Sequence, residues 1–367
     1  MVDYSLHKEK SIQGRYLNMD ALQTCFNKLD TPTETIGHSV EGIPIKAFKL
    51  GFGDRRVLMW SQMHGNESTT TKAVWDLVNY LQSKDTLAET ISTECTLMIV
   101  PMLNPDGANM YTRENSNGVD LNRDAKNLTQ PESIAFRKLF DSFKPHFCFN
   151  LHDQRTLFSA GNSNRPATVS FLSPASNKER HITPSREVAM KLIVAMDSML
   201  QKEIPGQIGR YDDDFNDNCI GDTLQMLGVP TILFESGHYP QDYEREETRK
   251  LIFLSMLEAL KTIARDEIDT YKTGDYFTIP GNKKLLFDVL ISNPEVVNAA
   301  IEPGNRVGIR FKEVLDKGKV IFKLEIAEIG KLEGFYGHET IECVDTKDFG
   351  FSTNQKQLLD LILNINK

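Results

Sequence analysis

The sequence predicts an α/β fold, with a mostly parallel or mixed sheet covered on both faces, followed by a smaller β-rich domain. Three observations carry this. From residue 57 to about 265, apolar runs of strand length alternate with amphipathic stretches of helix length, the pattern of a sheet sandwiched between helices. After about residue 270 the alternation stops, and short β-type runs divided by Gly, Pro and Asn take over. Three of the earlier apolar runs end in His64, His152 and Glu235, and open α/β sheets place their ligand sites beyond the carboxyl ends of strands.

In chain order, a helix is expected over Met19–Leu29, with Leu22, Phe26 and Leu29 on one face. Ile36–Val40 and Ile43–Leu50 read as a hairpin turning at Glu41-Gly42, and Val57–Met63 as the next strand. Ala73, Val74, Leu77, Val78 and Leu81 recur at helical spacing, so a helix spans about 68–83, with Ser68 and Thr69 placed to cap it. Cys95–Val100 is a buried strand stopped by Pro101, and Asn104-Pro105-Asp106-Gly107 is a turn sequence. A helix near 131–143 precedes the strand Phe147–Leu151, with His152-Asp153 at its end. Residues 184–203 form a helix, Thr231–Phe234 a strand running into Glu235, and a long helix near 245–265 closes the unit. Beyond it, Leu285–Ile291, Arg306–Phe311, Val320–Ile326 and Glu339–Val344 read as strands and Asn354–Asn366 as a closing helix. The division is therefore a larger α/β domain over 1–268, which holds His64, His152 and Glu235, and a β-rich domain over 269–367.

Bulk properties narrow the function. The net charge of −9 argues against broad nucleic-acid binding. No apolar run approaches the roughly 20 residues of a membrane span. Met1–Ser5 lacks the basic region and apolar core of a signal peptide, so a cytoplasmic location is expected. Cys25, Cys95, Cys148, Cys219 and Cys343 are odd in number and widely spaced, and read as reduced thiols that mostly fill the core. Neither a Gly-x-Ser-x-Gly elbow nor a phosphate-binding Gly-Lys-Ser/Thr motif is present.

The chemistry centres on Met63-His64-Gly65-Asn66-Glu67, where a strand end feeds a helix start. An imidazole and a carboxylate at this separation suit two of the three protein ligands of a catalytic zinc, and a second His must come from elsewhere. His38-Ser39-Val40-Glu41 has the same spacing but lies in the hairpin, and reads as structural.

Four separated motifs, His64-Gly65-Asn66-Glu67, Asn104-Pro105-Asp106-Gly107, Arg113 through Gly118-Val119-Asp120-Leu121-Asn122-Arg123, and a downstream His then Glu at strand ends, resemble the zinc carboxypeptidases of the M14 family. They occur in family order over residues 64–235, and with their flanks the match covers roughly the first 265 residues. The resemblance implies a mixed eight-stranded sheet between helices, one zinc per chain, and hydrolysis of an amide near a free carboxylate. Residue by residue, it implies His64, Glu67 and His152 as zinc ligands, with His146 the rival for the third place but at the wrong end of its strand. It implies Glu235 as the general base that takes a proton from the attacking water and delivers it to the leaving amine. Arg113 then steadies the oxyanion, Asn122 and Arg123 hold the substrate carboxylate, and Asp120 orients a ligating His.

Two places depart from the family pattern. Asp124 follows Arg123 where Asn is usual, which brings a negative charge towards the carboxylate pocket. No motif marks the substrate-capping tyrosine: Tyr211 lies at about the right distance ahead of Glu235, and Tyr239 and Tyr243 compete with it. The acidic run 212–217 reads as a solvated loop. The expected activity is a metallocarboxypeptidase acting on a peptide. Rival activities on the same fold are an N-acyl amino-acid deacylase resembling succinylglutamate desuccinylase and aspartoacylase, and a cell-wall peptide amidase. A non-catalytic homologue would lack a ligand or the base, and all are present here.

Overall fold

The computed structural model describes residues 2–345 and 353–365. Its strands are β1 (Thr33–His38), β2 (Pro44–Leu50), β3 (Arg55–Ser61), β4 (Cys95–Val100), β5 (Phe147–Asp153), β6 (Phe158–Ala160), β7 (Val169–Leu172), β8 (Ile208–Arg210), β9 (Thr231–Ser236), β10 (Asn282–Lys284), β11 (Leu286–Ser292), β12 (Arg306–Asp316), β13 (Lys319–Gly330) and β14 (Tyr336–Glu342). Its helices are α1 (Met19–Phe26), α2 (Thr69–Leu81), α3 (Thr86–Glu94), α4 (Pro105–Met110), α5 (Pro131–Phe143), α6 (Pro184–Leu200), α7 (Ile220–Met226), α8 (Glu246–Ala264) and α9 (Thr353–Leu363). None of the described helices is long and apolar enough to cross a membrane.

Eight strands form the main sheet in the order β1-β2-β4-β3-β5-β9-β7-β8. Its centre, β4-β3-β5-β9, is parallel throughout, and β7–β8 is also parallel, whereas β1, β2 and the β7–β9 pairing are antiparallel. The central strands are buried on both faces, which is why they read as continuous apolar runs. Alternation along β3 sends Val57 and Met59 to one core and Leu58 and Trp60 to the other. The first core also takes α2, α6 and α8, while α5 and α7 cover the second. Since β3, β5 and β9 are parallel neighbours, residues just past their carboxyl ends share one edge of the sheet, and His152 is in register with Glu235.

Two local expectations give way. Asn104–Gly107 opens a helix rather than a turn: Pro105 sits in the first turn and the Asn104 side chain accepts from Gly107 N at 2.9 Å, the arrangement of an N-cap. At α2, Ser68 makes no side-chain cap bond. Its hydroxyl instead donates to Arg15 O, and the first amides of the helix are taken up by Asp153, which is distant in sequence. β6, β8 and β10 have only three residues each, too few to show a period.

Strands β11 through β14 form the extra C-terminal sheet, ordered β13-β12-β11-β14, with the β11–β14 pair parallel and the other pairs antiparallel. Val289, Ile291, Val307, Ile309 and Ile341 pack with Leu358 and Ile362 of α9. Asn366, the last residue of the expected closing helix, lies outside the described residues. Ahead of this sheet, residues 268–284 run back along the larger unit: Tyr276 is buried in its first core and β10 pairs with β6. The C-terminal sheet docks near the loop that follows β5. Asp288 accepts from Thr156 Oγ1 at 3.2 Å and from the Tyr243 hydroxyl at 2.9 Å, and His338 Nε2 meets Thr156 O at 2.8 Å.

Candidate active site

β3 ends at Ser61, and Gln62 then takes a left-handed conformation (φ 48°) that turns the chain sharply. Its buried amide ties the turn down, donating to Leu17 O and Gly65 O and accepting from Thr71 Oγ1. Gly65 is required by closeness: a Cβ there would lie 1.8 Å from the carbonyl carbon of Gly107. The first two motifs are thus pressed backbone to backbone, and Asn66 N donates to Thr112 O at 3.1 Å.

This turn brings His64 and Glu67 to the end of β5. Glu67 Oε1 lies 2.8 Å from His64 Nδ1 and Oε2 lies 2.8 Å from His152 Nδ1, while the two Nδ1 atoms are 3.1 Å apart. Ligand atoms of all three residues lie within 4.8 Å of one another. Donors bonded to one zinc at about 2.0–2.1 Å in tetrahedral array stand roughly 3.3 Å apart. Two imidazoles and a carboxylate, each turning an atom to one point, therefore fit that ion. Burial pushes the Glu67 carboxyl up, but His64 and His152 outweigh it and hold it well below the usual carboxylate range. Burial pushes His152 down, and Glu67 only partly offsets it. His64 is also buried, yet Glu67 and Asp120 on either side of its ring raise it above its ordinary value.

Asp120 bridges the His64 ring and Arg113. Its Oδ1 lies 3.0 Å from His64 Nε2 and accepts from Asn122 N at 2.8 Å, while Oδ2 accepts from Arg113 Nε at 3.0 Å. Burial pushes this carboxyl up, but His64 and Arg113 prevail and it is lowered. Arg113 stands over the cluster, with Nη1 3.2 Å from His64 Nδ1 and 3.5 Å from Glu67 Oε1, and 42% of its side chain is exposed.

Glu235, the penultimate residue of β9, lies beside His152 and is 8% exposed. Its Oε2 is buried without a hydrogen-bond partner among the described residues. Burial, with Glu67 and Asp153 nearby, raises this carboxyl well above the carboxylate range. Asn122 Oδ1 accepts from Ile220 N and Cys219 Sγ at the start of α7, which fixes its side chain. Arg123 is exposed, its Nη1 donating to Asn122 O at 2.7 Å, and it makes no ion pair among the described residues. Tyr211 follows β8, hydrogen-bonded through its N to Phe171 O, with its ring 5.4 Å from that of Phe158. Burial and then the fields of Glu235 and Glu67 raise its hydroxyl above its ordinary value. The rival Tyr243 instead bonds Asp288 beneath the C-terminal sheet, and Tyr239 packs against the first core.

His146 lies at the opposite end of β5 from the cluster and pairs with Arg56. His38 pairs with Pro44 in the β1–β2 hairpin. Asp124 is turned away from the pocket: it accepts from Thr129 N, Thr129 Oγ1 and Gln130 N, and so caps the approach to α5. The acidic run is more than a solvated loop, since Asp213 pairs with buried Arg186 at 2.8 Å and with Arg180 at 3.2 Å.

Sequence reasoning missed the ring of charges behind the site. Asp153 accepts from Thr69 N at 3.0 Å and from Ser236 Oγ, and its own N donates to Glu67 Oε2 at 3.1 Å. Fully buried Arg245 donates to Ser236 O and Gln154 O, lacing the ends of β5 and β9 together. The only sequence signal for Asp153 was its place directly after His152, and Arg245 had none.

Compared with known proteins, residues 18–207, just over half of the chain, match the M14 peptidase family, described as zinc carboxypeptidase. The chain belongs to the M14 zinc carboxypeptidase family. Carboxypeptidase 2 of Trichophyton rubrum is 27% identical over 114 residues, 30% of this chain and 20% of that protein. Gamma-D-glutamyl-L-diamino acid endopeptidase 1 of Lysinibacillus sphaericus is 28% identical, over 39% of this chain and 50% of that protein. The chain thus spans about a fifth to a half of the length of these curated relatives. A metallo-carboxypeptidase from Burkholderia cenocepacia shares the fold, with a TM-score of 0.54 at 18% identity over 67% of this chain and 68% of that one.

Proposed function

We propose that this chain is a zinc-dependent carboxypeptidase that hydrolyses the amide bond next to the free carboxylate of a peptide, with one zinc held by His64, Glu67 and His152. The observation that carries the reading is a buried carboxylate, Glu235, with an oxygen that has no hydrogen-bond partner among the described residues, set beside three convergent ligand atoms. When bound, zinc supplies Lewis acidity, which polarises the scissile carbonyl and acidifies water.

The chain's own residues supply the rest. Glu235 takes the proton of the attacking water. Burial, with the Glu67 and Asp153 carboxylates nearby, raises its affinity for that proton, so it can carry the proton to the amide nitrogen, which accepts it as the C–N bond breaks and leaves as a neutral amine. Arg113, charged and fixed by Asp120, faces the oxygen on which charge develops. Asn122 and Arg123 grip the terminal carboxylate, for which the planar guanidinium offers two parallel donors. Tyr211 closes over the substrate. Asp120 keeps the His64 ring in one orientation, so that Nδ1 faces the metal position.

The test is turnover of a panel of free-acid peptides, the same peptides amidated, and N-acyl amino acids, before and after chelation. Loss of single C-terminal residues from free-acid peptides, abolished by chelator and restored by zinc, is the expected result. The relationship to a γ-D-glutamyl endopeptidase favours one second reading, a cell-wall peptide amidase. Cleavage indifferent to the terminal carboxylate selects it. Turnover of N-acyl amino acids alone selects a deacylase, and no turnover at all selects a non-catalytic homologue.

A further inference from the structure

Besides Asp288, the C-terminal sheet sends a second acidic side chain, Glu313, into the larger unit. Glu313, on β12, lies with Oε1 2.9 Å from Arg15 Nη2 and accepts a hydrogen bond at Oε2 from the Tyr111 hydroxyl. A quarter of its side-chain surface remains exposed, whereas only 3% of Arg15 does. Burial pushes the Glu313 carboxyl up, but Arg15 and Arg245 outweigh it and hold it below the usual range, so it is an anion in place.

Both partners of Glu313 belong to segments that shape the site. Tyr111 ends α4 in a left-handed conformation (φ 56°), which is strained for a bulky residue and needs an anchor. Its ring hydroxyl is held by Glu313. The next residue, Thr112, accepts Asn66 N, and the one after is Arg113. Arg15 donates to Tyr243 O at 3.1 Å, and its carbonyl accepts from Ser68 Oγ at 2.6 Å, directly after Glu67. One carboxylate thus ties down the chain two residues before Arg113 and, through Arg15, the chain one residue after Glu67.

Charge points the same way. Arg15 and Arg245 are both buried and their fields oppose each other, and Asp153 and Glu313 are the anions that favour charged Arg245. Asp153 is already committed to Thr69 and Ser236. Without Glu313, two buried guanidinium groups face one carboxylate, and the segments bearing them relax apart.

We infer that Glu313 is a positioning residue for the hydrolytic site: the C-terminal sheet completes the support of Arg113 and Glu67 from behind. This rests on the proposed hydrolytic function, and the test keeps the two apart. Full-length wild type, Glu313→Ala, Glu313→Gln, Tyr111→Phe and the Glu313→Gln/Tyr111→Phe double variant are compared, with rates normalised to bound zinc. Loss of a side chain that supports metal-site residues typically reduces activity by roughly 10- to 100-fold. Glu313→Ala is expected to lose that much in kcat at near-constant KM. Glu313→Gln, which keeps an acceptor, should recover part of the loss, and the double variant should fall short of the product of the two singles.

The second readout needs no substrate. Amide hydrogen exchange in Glu313→Ala should quicken in residues 65–69 and 111–113 while the interior strands β3 and β9 stay protected. Unchanged kcat per bound zinc, with only a lowered melting temperature, overturns the inference, as does unchanged exchange in those two segments. If wild type hydrolyses nothing, the proposed function fails, and the exchange data alone decide on Glu313. Should Glu313→Ala fail to fold, the isosteric Glu313→Gln carries both measurements.

Discussion

The backbone N–H of Asp153 donates to Glu67 Oε2 at 3.1 Å, so the strand that supplies His152 also fixes the carboxylate beside it. The Asp153 side chain continues the linkage by capping α2 at Thr69 and holding Ser236. Hydrogen bonds to a charged group are worth about 1.5–3 kcal/mol each. Asp153→Ala should therefore cost at least about 3 kcal/mol of stability, read as a shift of the urea midpoint. It should also loosen zinc, because the turn from Glu67 into α2 loses its cap. A variant as stable as wild type would show that the cap is dispensable.

Glu235→Gln keeps the shape of the side chain and removes the proton acceptor. General-base catalysis contributes on the order of 10²–10⁴-fold, so kcat should fall by at least that factor with zinc content unchanged. Near-full activity in this variant would mean that another group takes the proton.

The pH dependence of stability has a separate source in Asp222, on α7, which accepts from Asn216 N at 2.8 Å. Burial pushes its carboxyl up from 3.8 to about 6. An acid raised on folding favours the folded state most when protonated. Its contribution is thus complete below about pH 4 and is lost as pH rises through about 6. The shift corresponds to about 2–3 kcal/mol. Wild type should lose stability of that order between about pH 4 and pH 7.5, and Asp222→Asn should flatten that part of the profile. Parallel profiles for the two proteins would assign the loss elsewhere.

Much of this was legible in the sequence because the central strands are apolar throughout and end abruptly in polar residues. Val57–Trp60 before His64, Phe147–Leu151 before His152 and Thr231–Phe234 before Glu235 each state both the strand and its exit. The three-residue strands β6, β8 and β10 could not be read, since period-2 alternation needs more residues than they have. The cap of α2 was unreadable for another reason: its acceptor, Asp153, lies more than eighty residues away in sequence. Asp124 shows the converse error. Local adjacency to Arg123 suggested a pocket residue, but its carboxylate satisfies three donors at Thr129 and Gln130. The texture change after residue 270 marks where strand–helix alternation ends, yet residues up to Lys284 still pair with the larger unit. Glu313 sits among ordinary hairpin residues, and only the docking of two separate sheets gives it a role.

Arg123 offers the sharpest division between binding and chemistry. It is exposed, free of any ion pair among the described residues, and braced on the carbonyl of Asn122. A group so placed has little to do with folding, so Arg123→Ala should leave the melting temperature and the zinc content unchanged. Its cost should appear on substrates that carry a terminal carboxylate. A charge-assisted pair of this kind is worth roughly 1.5–3 kcal/mol, about 10- to 150-fold in kcat/KM. Amidating that carboxylate removes the anion, and with it most of the difference between Arg123→Ala and wild type. The measurement is kcat/KM for both proteins on a matched pair of free-acid and amidated peptides. A penalty confined to the free acid supports a carboxylate clamp. An equal penalty on both peptides would place Arg123 in general binding of the chain, and the natural substrate would then be sought among internally cleaved amides.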